Sequence, residues 1–186
     1  MMQRAIFLDR DNTLIHNDGD LGDPDEVRLM DGVPEAIAAL RRIGYRIIVV
    51  SNQGGVARGK YGEADVDRVH DRIRQLVRHG GGGEIDRFYF CPYHPDAKVD
   101  QYRCEHPWRK PQPGMLLQAA QDLGLDLPSC WTIGDQLRDI EAGWAAGTRT
   151  ILLTQSAPPA ATVAPDFVAP DLPAATRIIS RRVCDH

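Results

Sequence analysis

Residues 4–13 read RAIFLDRDNT. Ala5 to Leu8 form an apolar run of strand length that stops abruptly on Asp9 and Asp11. A short run with no polar alternation suits a strand buried on both faces, as in a parallel sheet covered by helices. The pattern returns in YRIIVVSN (45–52), DRFYF (86–90), CWTIGD (130–135) and RTILLT (149–154), each ending on polar residues or glycine. Helical spacing lies between these runs. In PEAIAALRRIG (34–44), Ile37, Leu40 and Ile43 recur at every third position, and Gly44 supplies a stop. In EADVDRVHDRIRQLVRHG (63–80), Val66, Val69, Ile73, Leu76 and Val77 form one stripe, while GMLLQAAQDLG (114–124) and LRDIEAGWAAG (137–147) are two further helices. Strands alternating with helices predict an α/β fold, a doubly wound parallel sheet with right-handed crossovers.

The 186 residues fit one domain, with a core at about 4–154 and an Ala/Pro-rich surface tail from about 155, where DLPAATRIIS offers a last helix. HGGGGE (79–84) links a helix to a strand. The composition is 42% hydrophobic and 26% charged, with a net charge of −4. That balance argues against a nucleic-acid partner. No run approaches the roughly 18 apolar residues of a membrane span, and the first residues hold no signal-peptide core, so the expectation is a cytoplasmic protein with no membrane partner. Cys130 sits in an apolar run and reads as a small buried hydrophobe, and Cys184 as an inert residue near the end.

Ligands of open parallel sheets bind at the carboxyl ends of the strands, so the residues after each strand matter most. After the first come Asp9 and Asp11, two apart and therefore pointing the same way from an extended backbone, with Arg10 pointing elsewhere. After the second comes SNQGG: Ser51, Asn52, Gln53 and then Gly54, whose backbone is open to a ligand. Before the third helical segment stand Arg109 and Lys110, and after the fourth strand Asp135, with Asp139 read as a helix residue behind it. Three aspartates make an oxygen cage for a hard cation, most naturally Mg²⁺. Ser51 and Lys110 supply a donor and a positive charge for a phosphoryl group. Each piece alone is weak, because a D-x-D pair is usually turn chemistry and a lone lysine is usually surface. Four pieces at successive strand ends, in one order, point to phosphoryl transfer.

FLDRDNTL, VVSNQGGVARG, RKPQPGML and IGDQLRD together resemble the four motifs of the haloacid dehalogenase-like phosphatases, over roughly residues 4 to 154. The likeness is greatest to the small branch without a cap domain that acts on heptose bisphosphates and histidinol phosphate. The resemblance implies a Rossmann-like haloacid dehalogenase fold, hydrolysis of a phosphate monoester and a monomer. It implies Asp9 as nucleophile, Asp11 as general acid and base, and Mg²⁺ on Asp9, the Asp11 carbonyl and Asp135. Ser51 and Lys110 would hold the phosphoryl oxygens, and Arg109 and the loop at Asn17 would meet the substrate. A heptose bisphosphate is the first substrate reading, and histidinol phosphate or another small metabolite the alternative. A non-enzymatic, metal-bound interaction module is the reading from another class, and an intact Asp9–Asp11 pair argues against it.

The sequence departs from the family pattern in several places. Asn12 stands where the family usually has glycine, NDGD (17–20) where the heptose enzymes usually carry Asp-x-Gly-Tyr, and Gln136 where a lysine usually follows the aspartate. The stretch CPYHPDAKVDQYRCEHPWRK (91–110) lies where the branch carries structural Zn²⁺ on Cys-x-His and Cys-x-Cys. Tyr93 takes the first histidine position and His106 the last cysteine position. Cys91, His94, Cys104 and His106 remain as a possible Cys₂His₂ set. A zinc knuckle is the preferred reading. A metal-free loop held by prolines and Tyr93, and a Cys91–Cys104 disulfide, stay open.

Overall fold

The computed structural model describes residues 3–156 and 163–184. Strands β1 (Ala5–Leu8), β2 (Arg46–Asn52), β3 (Arg87–Cys91), β4 (Trp131–Gly134), β5 (Arg149–Leu153) and β6 (Phe167–Ala169) form one sheet in the order β3-β2-β1-β4-β5-β6. Every pairing is parallel, with Ile6 opposite Ile47 on one side and Trp131 on the other.

The helices cover both faces because alternate residues of each strand point opposite ways. Ile6, Leu8, Ile47 and Val49 pack with α1 (Val33–Arg42), α3 (Glu63–His79) and α6 (Leu172–Cys184). Ala5, Phe7, Ile48 and Val50 pack with α4 (Gly114–Leu123) and α5 (Leu137–Ala146), and the one-turn α2 (Gly54–Ala57) follows β2. The apolar stripe of α3 buries Val66, Val69, Ile73 and Val77. Gly44, just past α1, has φ +89°, which suits the glycine stop.

The end of the chain forms the last helix that DLPAATRIIS offered, as α6, and differs from the expected irregular tail only ahead of it. Residues 157–162 of that stretch lie outside the described residues, but Phe167–Ala169 adds the edge strand β6 and α6 buries Leu172, Ala175 and Ile179. Asp166 Oδ2 accepts from both Thr150 N (2.7 Å) and Thr150 Oγ1 (2.9 Å), and this brings the short segment into register beside β5.

Chain connections leave β1 toward β2 on one side and reach β4 on the other. The reversal opens a crevice at the carboxyl ends of β1, β2 and β4, where helices splay apart.

Candidate active site

Asp9 is the residue after β1, Asp135 the residue after β4, and Ser51 and Asn52 end β2. The backbone N–H of Asp9 donates to Ile133 O at 2.9 Å, tying the turn after β1 to β4. The Asp9 carboxylate is buried, and so is Lys110. Lys110 Nζ lies 2.6 Å from Asp9 Oδ1, 2.6 Å from Asp139 Oδ1 and 2.8 Å from Val50 O. The ammonium donates to Asp9 Oδ1 and Val50 O and forms an ion pair with Asp139, so the lysine is held from three sides. Asn52 fixes the lysine from behind: its Nδ2 donates to Lys110 O and its Oδ1 accepts from Lys110 N, both at 2.9 Å.

Asp139 is more central than its sequence position suggested. It is buried in the first turn of α5, pairs with Lys110, and accepts from Gln136 N at 3.1 Å, which caps the helix. Gly134 makes this possible, because a Cβ there would overlap the Asp139 side chain. Carboxylate oxygens of Asp9, Asp135 and Asp139 all lie within 4.8 Å of one another. Asp139, not Asp11, is the third carboxylate of that cluster. The donors are all oxygen, and the one ammonium among three carboxylates pairs with only Asp9 and Asp139. That excess of negative charge fits a hard divalent cation such as Mg²⁺. Burial pushes Asp9 up to about 6, opposed by Lys110 and reinforced by Asp139 and Asp11. Burial also raises Asp135. On Lys110 burial works against the charge, but Asp139 and Asp9 outweigh it and hold its pKa above that of an ordinary lysine.

Asp11 is oriented by three donors: Asn17 Nδ2 at 2.7 Å, Arg10 Nε at 3.0 Å and Gln53 Nε2 at 3.1 Å. Arg10 does not point away as the strand alternation predicts; its buried guanidinium turns back onto Asp11. The same Gln53 Nε2 donates to Ser51 Oγ at 2.6 Å, and Tyr61 OH donates to Gln53 Oε1 at 3.1 Å. Gly22 and Gly55 flank the Tyr61 ring so closely that a Cβ on either would strike it. Tyr61 is thus slotted between two glycines and holds the amide that joins Ser51 to Asp11.

Above these residues is a cavity of about 210 Å³. Of the residues predicted from sequence, Asp9, Asp11, Asn17, Asn52, Gln53, Gly54, Arg109 and Asp135 line it. Ser51 and Lys110 do not; both are buried beneath its floor. Sequence reasoning gave no role to Arg58, Tyr61 and Arg138 on the cavity wall, and it named Asp20 only as part of the NDGD loop. Asp20 is held by Arg58 and by Lys60 at 2.8 Å, which straps the 17–20 loop across the opening. The hydrogen bond from Arg58, more than any other influence, holds Asp20 below the usual carboxylate range. Arg58 lies within the quoted VVSNQGGVARG motif, so a signal for it existed. Arg138 lies likewise within the quoted IGDQLRD motif, whereas Tyr61 stands outside all four motifs.

The four expected zinc ligands are not gathered into one group in the structure. Cys91, His94, Cys104 and His106 are all described, yet the aspartate cluster is the one group of metal-ligating side chains gathered among the described residues. The loop packs on its aromatic rings instead. Tyr93, at the first histidine position, stacks on His106 with centroids 4.3 Å apart and meets Tyr102 edge-on at 5.8 Å. The Nδ1 atoms of His94 and His106 accept from Asp96 N (3.0 Å) and Trp108 N (3.1 Å). Cys91 is buried in the sheet core while Cys104 is an exposed free thiol, and no disulfide joins them. Cys130 is buried as expected, and burial pushes its thiol up to about 11.

A HAD-hydrolase-like family profile matches residues 107–175. The D-glycero-alpha-D-manno-heptose-1,7-bisphosphate 7-phosphatase of Burkholderia mallei is 41% identical over 153 residues, covering 82% of this chain and 80% of the relative. The D-glycero-beta-D-manno-heptose-1,7-bisphosphate 7-phosphatase of Escherichia coli K12 is 36% identical over 155 residues, covering 83% and 81%. Among solved structures, the D,D-heptose 1,7-bisphosphate phosphatase from B. bronchiseptica, complexed with magnesium and phosphate, superposes with a TM-score of 0.80 at 29% identity, covering 97% of this chain and 99% of that one. A HAD-like phosphatase from Mesorhizobium loti gives 0.83 at 34%, covering 96% and 88%.

Proposed function

The chain belongs to the haloacid dehalogenase-like phosphatases, and on that premise we propose that it removes the 7-phosphate of D-glycero-D-manno-heptose 1,7-bisphosphate through an aspartyl-phosphate on Asp9. The observation that carries this reading is the pairing of a buried Asp9, locked against Lys110 at 2.6 Å, with Asp11 held at the cavity wall by Asn17 and Gln53. Relatives named for this substrate cover most of the chain.

An Asp9 oxygen attacks the phosphorus while the bond to the sugar oxygen breaks. Asp11, facing the same cavity, passes its proton to the leaving alkoxide and so becomes a base. A water molecule then attacks the phosphorus of the aspartyl-phosphate, giving its proton to Asp11. The acyl-phosphate bond breaks, Asp9 is regenerated and inorganic phosphate leaves. Asp9 approaches an anion, so positive charge must stand close by. Lys110 is fixed there by Asp139 and Val50 O, and Ser51 sits beside it at the end of β2. Mg²⁺ on Asp9, Asp135 and the Asp11 carbonyl, with Asp139 behind them, would add the charge that offsets repulsion between carboxylate and phosphate. Gln53 and Tyr61 keep Asp11 turned toward the cavity.

The test is phosphate release from the heptose bisphosphate in Mg²⁺ buffer. Asp9→Asn keeps the shape and loses the nucleophile, so turnover is expected to vanish with the circular dichroism spectrum unchanged. Substantial turnover by a folded Asn variant would rule out the covalent route.

A further inference from the structure

Three guanidiniums line the cavity: Arg58, Arg109 and Arg138. Arg58 is committed to Asp20. Arg109 and Arg138 make no ion pair among the described residues; Arg109 Nη1 donates to Tyr93 O at 3.2 Å, and Arg138 is exposed in the first turn of α5. That position is unfavourable for a cation, because the N-terminal end of a helix carries partial positive charge. The two arginines also oppose each other: burial lowers the pKa of Arg109, and Arg138 and Arg58 lower it further. The fold therefore tolerates two mutually repelling cations over a cavity whose floor holds the reacting carboxylate. Such an arrangement becomes favourable once an anion sits between them, and guanidinium forks match phosphate oxygens well.

Gln136, where the resembled family usually has lysine, lines the same wall and is neutral. We propose that Arg138 and Arg109 together grip a second, non-reacting phosphate of the substrate, with Arg138 supplying from the first turn of α5 the charge that Gln136 lacks. Arg138 is then the specificity-determining residue that selects sugar bisphosphates over monophosphates. This rests on Asp9 being the nucleophile in the same cavity.

The experiment compares wild type, Arg138→Gln and Arg138→Lys on D-glycero-D-manno-heptose 1,7-bisphosphate, both anomers, and on the 7-monophosphate. The ratio of kcat/KM for bisphosphate over monophosphate is expected to fall tenfold or more in the Gln variant, through KM rather than kcat. The Lys variant should recover most of it. A second arm measures affinity by calorimetry in the Asp9→Asn background, where adding Arg138→Gln should weaken the bisphosphate tenfold or more and the monophosphate much less. Equal weakening of both ligands, or a selectivity ratio within twofold of wild type, overturns the inference and leaves the phosphatase reading intact. If Asp9→Asn turns over, the covalent reading falls, and the affinity ratio still decides the role of Arg138.

Discussion

Asn12 has φ +56°, the one positive value at a non-glycine position among the described residues. That region is strained for side chains carrying a Cβ, and asparagine is among the few residues that enter it readily. Asn12 therefore does the conformational work of the glycine usual in the family, and its Oδ1 also accepts from Asn17 N at 3.0 Å, tying the active-site turn to the loop above it. Asn12→Gly is expected to stay within about 0.5 kcal/mol of wild type, whereas Asn12→Val should cost about 2 kcal/mol and lower kcat by misplacing Asp11. Urea denaturation with parallel kinetics checks both, and a Val variant as stable as the Gly variant would contradict the account. The aspartates were legible because they follow strands directly, where side-chain direction is fixed by the backbone. Asp139 was half legible: it stands four residues after Asp135, but its partnership with Lys110 joins segments far apart in sequence. Arg138 stands inside the IGDQLRD motif, between Asp135 and Asp139, whereas Tyr61 reaches the cavity from beyond the motifs and only the fold brings it there.

At the scale of elements, the loop from Cys91 to Lys110 shows how ligand-type residues can be present without forming a metal site. Tyr93, inside the first Cys/His pair, joins an aromatic stack: Tyr93 on His106, with Trp108 edge-on to His106 at 6.1 Å and to Tyr89 at 6.1 Å. Stability of the loop should then follow the ring and not the thiol. Tyr93→Ala is expected to destabilise the protein by about 2 kcal/mol through lost aromatic packing, whereas Cys104→Ser, at an exposed thiol, should change it by less than about 0.5 kcal/mol. Thermal melts of the two variants separate the accounts, and a large loss for Cys104→Ser with little for Tyr93→Ala would overturn the aromatic account. The five short apolar runs were read as strands because a run of strand length without polar alternation, ending on polar residues or glycine, is the mark of a strand in a covered parallel sheet. β6 was not, because three residues in an Ala/Pro-rich setting carry no periodicity, and Asp166, which ties it down, resembles any turn residue.

The whole molecule places its chemistry at the reversal of strand order and its acid sensitivity elsewhere. The three-layer α/β arrangement was legible from the alternation of runs. The order of strands was not, since it depends on which helix covers which face. That covering buries His70, on the inner side of α3, against Phe88 (4.4 Å, stacked) and Phe90 (5.8 Å). Its Nε2 has no hydrogen-bond partner, and burial, aided by the positive charges of Arg10 and Arg74, pushes its pKa down to about 3. Above about pH 6.5 the imidazole is neutral in both the folded and unfolded chains, so it adds no pH dependence there. Below that value the unfolded chain binds a proton that the folded chain refuses. Stability is then lost as pH falls through the window from about 6.5 toward 3, by up to about 1.4 kcal/mol per pH unit from this residue alone. Replacing His70 by Phe keeps a flat ring beside Phe88 and removes the titration. Urea midpoints measured from pH 7.5 to 4.5 should fall less steeply for His70→Phe than for wild type, and the two curves should converge or cross toward neutral pH. Parallel curves over that range would mean that the acid loss belongs to the carboxylates and not to the buried imidazole.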